Sequence, residues 1–196
     1  MCAKVLAIAN QKGGVGKTTT SISLSSALAR MGKKVLVLDL DPHACATLHA
    51  RIYPEGITCS LHDLFLAQED AWPVIWPDLI HVQALPGIDV APGSIRLSEL
   101  EVDFRERQAK GSVLLRSLTH VRDGYDYIIL DCPPHVGILL VNALVAADLL
   151  IIPIQTDFLA LHGLKLLFDT LHTLNKALGR PVRYRAVPTM YDRRAK

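Results

Sequence analysis

The chain has 196 residues, of which 50% are hydrophobic and 20% are charged. This composition excludes the disordered class of proteins, and no apolar stretch approaches the roughly 18 residues that a membrane-spanning helix needs. The length fits one domain with a buried core. The four cysteines are far apart and form no CxxC pair, so we expect a reducing compartment, with the cytoplasm as the default.

Apolar runs of strand length alternate along the chain with segments of helical period. Strands are predicted over residues 4–10, 34–40, 79–85, 127–131, 148–154 and 181–188, and helices over 17–31, 97–110 and 160–178. The stretch 72–77 holds two tryptophans and two prolines; we predict it as loop-like, with its tryptophans serving packing. The alternation indicates an α/β fold with a mostly parallel central sheet and helices on both faces, in a single domain over 1–196.

A glycine-rich segment joins the first predicted strand to the first predicted helix. Glycines let successive backbone N–H groups face phosphate oxygens, and the helix N-terminus adds partial positive charge. Lys17 supplies a cation, and the Thr18 hydroxyl is placed to ligate a Mg²⁺ that bridges phosphates. We therefore predict a nucleoside triphosphate site formed by Gly13, Gly14, Val15, Gly16, Lys17, Thr18 and Thr19.

Two further predicted strands end in carboxylates. Asp39 and Asp41 are two residues apart, so an extended backbone points both to one side, at the sheet edge where α/β proteins bind ligands. One of them can organise Mg²⁺ while the other orients or deprotonates a water molecule near the terminal phosphate. Asp131 ends a buried strand of Walker B type and can bind Mg²⁺ through water.

The run from Lys12 to Thr19 closely resembles the deviant Walker A loop of the ParA/MinD family of P-loop ATPases, and the similarity is nearest to the ParA/Soj partition branch. The resemblance implies a three-layer P-loop NTPase fold with ATP and Mg²⁺ as cofactors. It implies that Lys12 reaches across an ATP-dependent homodimer to the partner's nucleotide. It assigns water activation to Asp41 and the outer Mg²⁺ coordination to Asp39, beside the catalytic Lys17.

The sequence departs from the family pattern after Asp41. A glutamine and a glycine usually follow the Asp-Pro pair, whereas this chain has His43 and Ala44. The departure bears on the rate of hydrolysis and on switching, and it leaves the phosphate loop untouched. Family members also continue beyond the position equivalent to Lys196, so we expect the chain to lack C-terminal elements of the domain.

A basic segment closes the chain: residues 180–196 hold six Arg or Lys and one Asp. One interpretation is a solvated terminal surface without a specific function, and the other is a patch that binds nucleic acid. The resemblance places DNA contact at Arg193 and Arg194.

The family resemblance implies an ATPase that hydrolyses ATP to ADP and phosphate and so switches between a DNA-bound dimer and a released monomer. Such a protein partitions or positions DNA or other cargo, associates with the nucleoid, and is stimulated by a ParB-like or other adaptor. Two alternatives stay open. One is a MinD-like or flagellar-positioning ATPase that acts on a membrane surface without a membrane segment in this chain; the other is a nucleotide-binding scaffold that hydrolyses little.

Overall fold

Seven strands form one sheet in the computed structural model, which describes residues 2–103, 111–156 and 160–191. The strand order is β3-β4-β2-β5-β1-β6-β7, and every neighbouring pair is parallel except the antiparallel β3 and β4. The strands are β1 (Lys4–Ile8), β2 (Val35–Asp39), β3 (His81–Leu85), β4 (Ile88–Ala91), β5 (Tyr127–Asp131), β6 (Leu149–Gln155) and β7 (Tyr184–Thr189).

Helices cover both faces of the sheet. They are α1 (Lys17–Arg30), α2 (Cys45–His49), α3 (Leu61–Leu66), α4 (Trp72–Leu79), α5 (Leu97–Asp103), α6 (Val113–Ser117), α7 (Ile138–Ala146) and α8 (Ala160–Leu178). Alternate strand residues enter two separate cores, because successive side chains of a strand point to opposite faces. Leu6 and Ile8 pack on the α1 and α2 side, whereas Val5 and Ala7 pack with the other helices. The predicted α/β fold with helices on both faces is confirmed.

The central strands bring the predicted site together. β5 lies between β1 and β2, and Asp131 is in register with Ile8 on one side and with Asp39 on the other. Because all three strands run in the same direction, their carboxyl ends meet at one edge of the sheet. The loop that follows β1 and the carboxylates that end β2 and β5 therefore become neighbours.

One strand was missing from the sequence prediction. Residues 79–85 were expected to form a single strand, but β3 covers only part of this range and turns at Pro86 and Gly87 into β4. Gly87 has φ of +75°, a left-handed conformation that suits glycine in a tight turn. β4 escaped notice because it is only four residues long and Asp89 interrupts its apolar run.

The loop predicted over 72–77 is wrong, because these residues begin the helix α4. Pro73 lies in the first turn, where a missing N–H costs no helical hydrogen bond, and so the helix tolerates it. The two tryptophans do serve packing. Both are buried, and their indole N–H groups donate to the carbonyl oxygens of Leu64 and Ser117 at 3.2 and 2.9 Å.

The remaining helix predictions agree with the structure over the described residues. α1 ends one residue before its predicted limit and Gly32 follows with φ of +76°, while α8 has the predicted bounds and places Leu167 and Leu171 in the core. The helix predicted over 97–110 is seen as α5, and residues 104–110 lie outside the described part of the chain.

Ala44 is the N-cap residue of α2 and has a left-handed backbone, with φ of +52° and ψ of +38°. This conformation costs an L-residue with a Cβ roughly 1–2 kcal/mol, and glycine avoids most of that cost. We expect Ala44→Gly to raise the free energy of unfolding in urea by about 0.5–1 kcal/mol. Ala27→Gly, in the last turn of α1, is the opposite control and should lower it by roughly 0.5–1 kcal/mol. Equal losses in both variants would contradict the strain at Ala44.

Candidate nucleotide-binding site

The phosphate loop is shaped by two left-handed glycines. Gly14 and Gly16 have φ of +73° and +87°, so side chains with a Cβ are disfavoured at both positions. Val15 between them is fully buried, and its carbonyl oxygen accepts a 2.9 Å hydrogen bond from the Thr189 hydroxyl at the end of β7. α1 starts directly after the loop, at Lys17. The buried Val15 and its hydrogen bond with Thr189 thus hold the loop on the protein side, while the space beside its glycines stays open.

Lys17 is the buried cation of the site, with 8% of its surface exposed. Its ammonium donates a long hydrogen bond of 3.4 Å to the carbonyl oxygen of Lys12. Burial lowers the pKa of Lys17, and the negative charges of Asp41 and Asp131 partly oppose that shift. A desolvated ammonium in such a position gains strongly from an anionic ligand, because charge-assisted hydrogen bonds are stronger where water is excluded.

Asp131 presents a buried carboxylate oxygen that is suited to a cation. Its Oδ1 accepts a 2.8 Å hydrogen bond from the Ser21 hydroxyl, whereas its buried Oδ2 has no hydrogen-bond partner among the described residues. Burial raises the pKa of Asp131, while the hydroxyls of Thr18 and Ser21 act in the opposite direction. An unpaired buried carboxylate oxygen beside a threonine hydroxyl is a donor set that Mg²⁺ accepts, so these residues fit the ion.

Asp39 is fully buried and both of its oxygens are used within the chain. Oδ2 accepts 2.7 Å hydrogen bonds from the backbone N–H and the hydroxyl of Thr47, and Oδ1 accepts one of 3.2 Å from the N–H of Asp41. Burial and the charge of Asp131 raise the pKa of Asp39 to about 7 despite these hydrogen bonds. Asp39 therefore has a structural role, which is to organise the loop after β2, and any part in Mg²⁺ coordination would come in addition to this structural role.

The raised pKa of Asp39 predicts a titration that NMR can follow. In the ligand-free protein the ¹³C signal of its carboxyl group should titrate near pH 7, about three units above an exposed aspartate. Since the native state then binds a proton that the unfolded chain releases near pH 4, this group stabilises the fold at low pH and loses that contribution as pH rises through 7. A midpoint near 4 for Asp39 would contradict the prediction.

Asp41 lies at the edge of an open cavity of about 540 Å³, and only 8% of its surface is exposed. The phosphate loop forms one wall of the cavity, and the residues after β2 form another. The lining comprises Gly13, Gly14, Gly16, Lys17, Thr18, Thr19, Asp41, His43, Cys45, Leu48, His49, Pro134 and Met190. A carboxylate thus faces the same space as the groups suited to bind phosphates.

The predicted site residues divide into four sets. Most of them line the cavity. Val15, Asp39 and Asp131 are buried and support it. Lys12 is half-buried, its N–H donates to Asn10 Oδ1 at 3.0 Å, and it is not one of the cavity-lining residues. Arg193 and Arg194 lie outside the described residues.

Several supporting residues were not anticipated from the sequence. Ser21 could have been found, because it follows Lys17 by one helical turn and so shares its face. Thr47 and Gly93 offered no such signal. The N–H of Gly93 donates to the Thr47 hydroxyl at 2.9 Å, and a Cβ at Gly93 would overlap the carbonyl oxygen of Asp39. Gly93 thus lies tightly against the backbone that carries both aspartates.

Glu101 of α5 caps the N-terminus of α7, the helix that follows Asp131 and its loop. Its Oε2 accepts the N–H of Ile138 at 2.9 Å and its Oε1 accepts that of Leu139 at 3.3 Å. His135 Nε2 lies 3.5 Å from the same carboxylate. A negative charge at this helix end is favourable, because the free N–H groups there carry partial positive charge.

A family model for an AAA domain matches residues 3–183 of the chain. The sporulation initiation inhibitor protein Soj of Bacillus subtilis is 40% identical over 192 residues, which are 97% of this chain and 74% of Soj. The chromosome partitioning protein ParA of Caulobacter vibrioides is 39% identical over 194 residues, 97% of this chain and 71% of that protein. The chain belongs to the ParA/Soj family of P-loop proteins. The family resemblance predicted from the Lys12–Thr19 segment is confirmed.

Solved structures of similar proteins agree with this family and fold. The cobyrinic acid a,c-diamide synthase of Mycobacterium smegmatis superimposes with a TM-score of 0.88 at 35% identity, covering 98% of this chain and 77% of that one. Its structures contain ADP or an ATP analogue together with magnesium. Within the described ranges, no helix has both the length and the apolar character needed to cross a membrane.

Proposed function

We propose that this protein is a Mg²⁺-dependent ATPase of the ParA type. The observation that carries the proposal is the convergence on one cavity of the phosphate loop, the buried Lys17 ammonium and the Asp41 carboxylate. A passive nucleotide scaffold would need the loop and the lysine, but it would have no use for a carboxylate facing the same space. The nucleotide-bound structures of the mycobacterial protein support ATP and Mg²⁺ as the cofactors.

Each residue has a separate task in this proposal. The loop N–H groups and Lys17 bind and orient the phosphates, and the hydroxyl of Thr18 would hold the Mg²⁺ directly while Asp131 would hold it through water. Mg²⁺ supplies positive charge that offsets the negative charge of the phosphate oxygens. Asp41 orients a water molecule and accepts its proton, while Asp39 keeps the Asp41 backbone in place through its hydrogen bond to the Asp41 N–H.

The oligomeric part of the proposal concerns Lys12. We place its side chain at the nucleotide of a second subunit, so that ATP joins two chains and hydrolysis releases them. This arrangement agrees with the position of Lys12 beside the loop but outside the set of cavity-lining residues. A charge contributed by the partner would make dimerisation depend on the bound triphosphate, since only that ligand presents the matching phosphate.

The biological setting follows the family. We propose that the ATP-bound dimer binds DNA without sequence preference through the basic end of the chain, including Arg193 and Arg194, in the cytoplasm and on the nucleoid. A ParB-like or other adaptor then stimulates hydrolysis, and the protein partitions or positions DNA or another cargo. The named functions of Soj and ParA support this setting.

Hydrolysis and dimerisation can be tested together. Phosphate release from ATP should require Mg²⁺ and should fall at least ~100-fold in Asp41→Ala, the usual range for loss of a general base. The molar mass from light scattering should double in ATP relative to ADP, and Lys12→Ala should prevent the doubling while leaving ATP binding intact. Equal phosphate release from wild type and Asp41→Ala would remove Asp41 from catalysis. A constant mass in both nucleotides would reject the dimer switch.

The surface on which the protein acts needs a separate experiment. Binding to random-sequence duplex DNA should require ATP, weaken steeply with added salt, and decrease in Arg193→Ala and Arg194→Ala. Each phosphate contact that is lost should also reduce the slope of log K against log salt concentration by about one. Flotation with vesicles containing anionic lipid is the parallel measurement. Recruitment to vesicles but not to DNA in ATP would favour the MinD-like alternative. DNA binding that is equal with ATP, ADP or no nucleotide would contradict the proposal.

A further inference from the structure

The His43 side chain makes a specific contact with Asp41. The ring Nδ1 and the backbone N–H of His43 both lie 2.9 Å from Asp41 Oδ1. An ionised carboxylate oxygen can only accept, so the proton of this ring hydrogen bond is on Nδ1. The backbone around it forms a tight turn, in which the N–H of Ala44 donates to the carbonyl oxygen of Asp41 at 2.8 Å.

Packing does not explain where the ring lies. The His43 side chain is 73% exposed, whereas the Asp41 side chain is 11% exposed. A mostly exposed ring keeps its rotamer through the contacts it makes, and its hydrogen bond with Asp41 is such a contact. Both residues also line the cavity bordered by the phosphate loop, so the pair faces the space in which we propose that the triphosphate binds.

The two hydrogen bonds leave the two oxygens of Asp41 unequal. Oδ1 already accepts from two donors of His43, while no hydrogen bond within the described residues reaches Oδ2. Rotation about the Cβ–Cγ bond of Asp41 would break the ring hydrogen bond. The carboxylate plane is therefore held, and Oδ2 is the oxygen with free capacity to accept from water.

We propose that His43 is a positioning residue for hydrolysis: its Nδ1–H fixes the Asp41 carboxylate so that Oδ2 receives the attacking water. This inference rests on the proposed function, because it presumes that Asp41 accepts a proton from that water. Within the described part of the chain, no hydrogen bond or ion pair joins His43 to the phosphate loop or to Lys17, so His43 should influence the rate of the chemical step and leave ATP binding unchanged.

Two amide substitutions separate the ring hydrogen bond from simple occupancy of the position. His43→Asn keeps an N–H donor attached to Cγ, at the place of Nδ1. His43→Gln moves the donor one bond further from the backbone, to about the distance of Nε2. His43→Ala removes both and retains the backbone N–H. Exposed His172 on α8 provides the control His172→Ala.

Basal ATP hydrolysis should distinguish these variants. We expect His43→Ala and His43→Gln to lower kcat about tenfold with KM for ATP unchanged, the loss expected for one hydrogen bond to a charged group. His43→Asn should recover to within about threefold of wild type, and His172→Ala should equal wild type. A wild-type kcat in His43→Ala, or equal losses in the Asn and Gln variants, would overturn the proposal.

NMR of the ligand-free protein gives a readout that does not depend on activity. Imidazole ¹⁵N shifts should show His43 protonated on Nδ1, and the preference for that tautomer should disappear in Asp41→Ala. Protonation on Nε2 alone in wild type would overturn the proposal.

The proposed function and the inference about His43 would fail in different ways. If Asp41→Ala hydrolyses ATP like wild type, the role of Asp41 falls and that of His43 falls with it. If only Asp41→Ala is inactive and His43→Ala is normal, the proposed function stands and the inference alone fails.

Discussion

Replacing Lys17 by methionine is expected to lower the affinity for ATP about 100-fold. Methionine retains much of the aliphatic volume but removes the buried ammonium, whose charge is desolvated by the surrounding protein. Loss of hydrogen bonds from a charged donor to a charged acceptor costs roughly 3 kcal/mol, which corresponds to two orders of magnitude in affinity. Titration with a fluorescent ATP analogue in the presence of Mg²⁺ measures the effect.

The matched control for Lys17 is Lys33→Met. Lys33 is exposed and follows the end of α1, so the Lys33→Met variant should bind the analogue with the same affinity as wild type. A change of less than threefold in Lys17→Met would show that the loop amides suffice for binding. It would also mean that the burial of this ammonium serves some purpose other than recognition of phosphate.

The second large effect is expected for Gly93→Ala. The added Cβ would overlap the carbonyl oxygen of Asp39 and would also lie 3.2 Å from the carbonyl oxygen of Asp41. Both neighbours are backbone atoms of the segment that carries the two aspartates, so they cannot move without deforming the site. We expect the free energy of unfolding in urea to fall by about 3 kcal/mol, with a drop in Tm of roughly 6–12 °C and weaker ATP binding.

Gly56→Ala is the control for the glycine substitution. A Cβ at Gly56 would meet no atom within 4 Å, and its backbone is not in the left-handed region. The free energy of unfolding of the Gly56→Ala variant should lie within about 0.5 kcal/mol of the wild-type value, as for most surface changes. Comparable stability of Gly93→Ala and Gly56→Ala would show that the backbone after β2 can shift to accept a side chain.

The parts of the fold that the sequence predicted are those with strong local patterns. β1, β2 and β5 are short apolar runs that end at turn residues, and the phosphate loop has an unusual density of glycine next to Lys17 and Thr18. α7 was not assigned because it is apolar on every side, so it carries no helical period. α4 was missed because two prolines within six residues are typical of a loop, although Pro73 lies where a helix accepts proline.

The parts of the site that could not be predicted depend on contacts between distant segments. Ser21 and Asp131 are 110 positions apart, and Thr47 meets Gly93 across 46. No local pattern reveals such a pair, since the tertiary fold alone decides which strand end faces which helix. The sequence therefore predicted the phosphate loop and the carboxylates at the strand ends, and the structure revealed the groups that hold them in place.

The hydrogen bonds between Glu101 and the start of α7 require open space beside Gly137. A Cβ at Gly137 would overlap the Glu101 carboxylate, which is the far end of a flexible side chain, so a residue with a Cβ at 137 would displace that carboxylate. The consequence runs in one direction: a side chain at 137 would remove the carboxylate from the start of α7 even with Glu101 unchanged, whereas a shorter residue at 101 creates no clash with Gly137. Through this one carboxylate, α5 favours a residue without a Cβ at the start of α7, in the segment that follows Asp131.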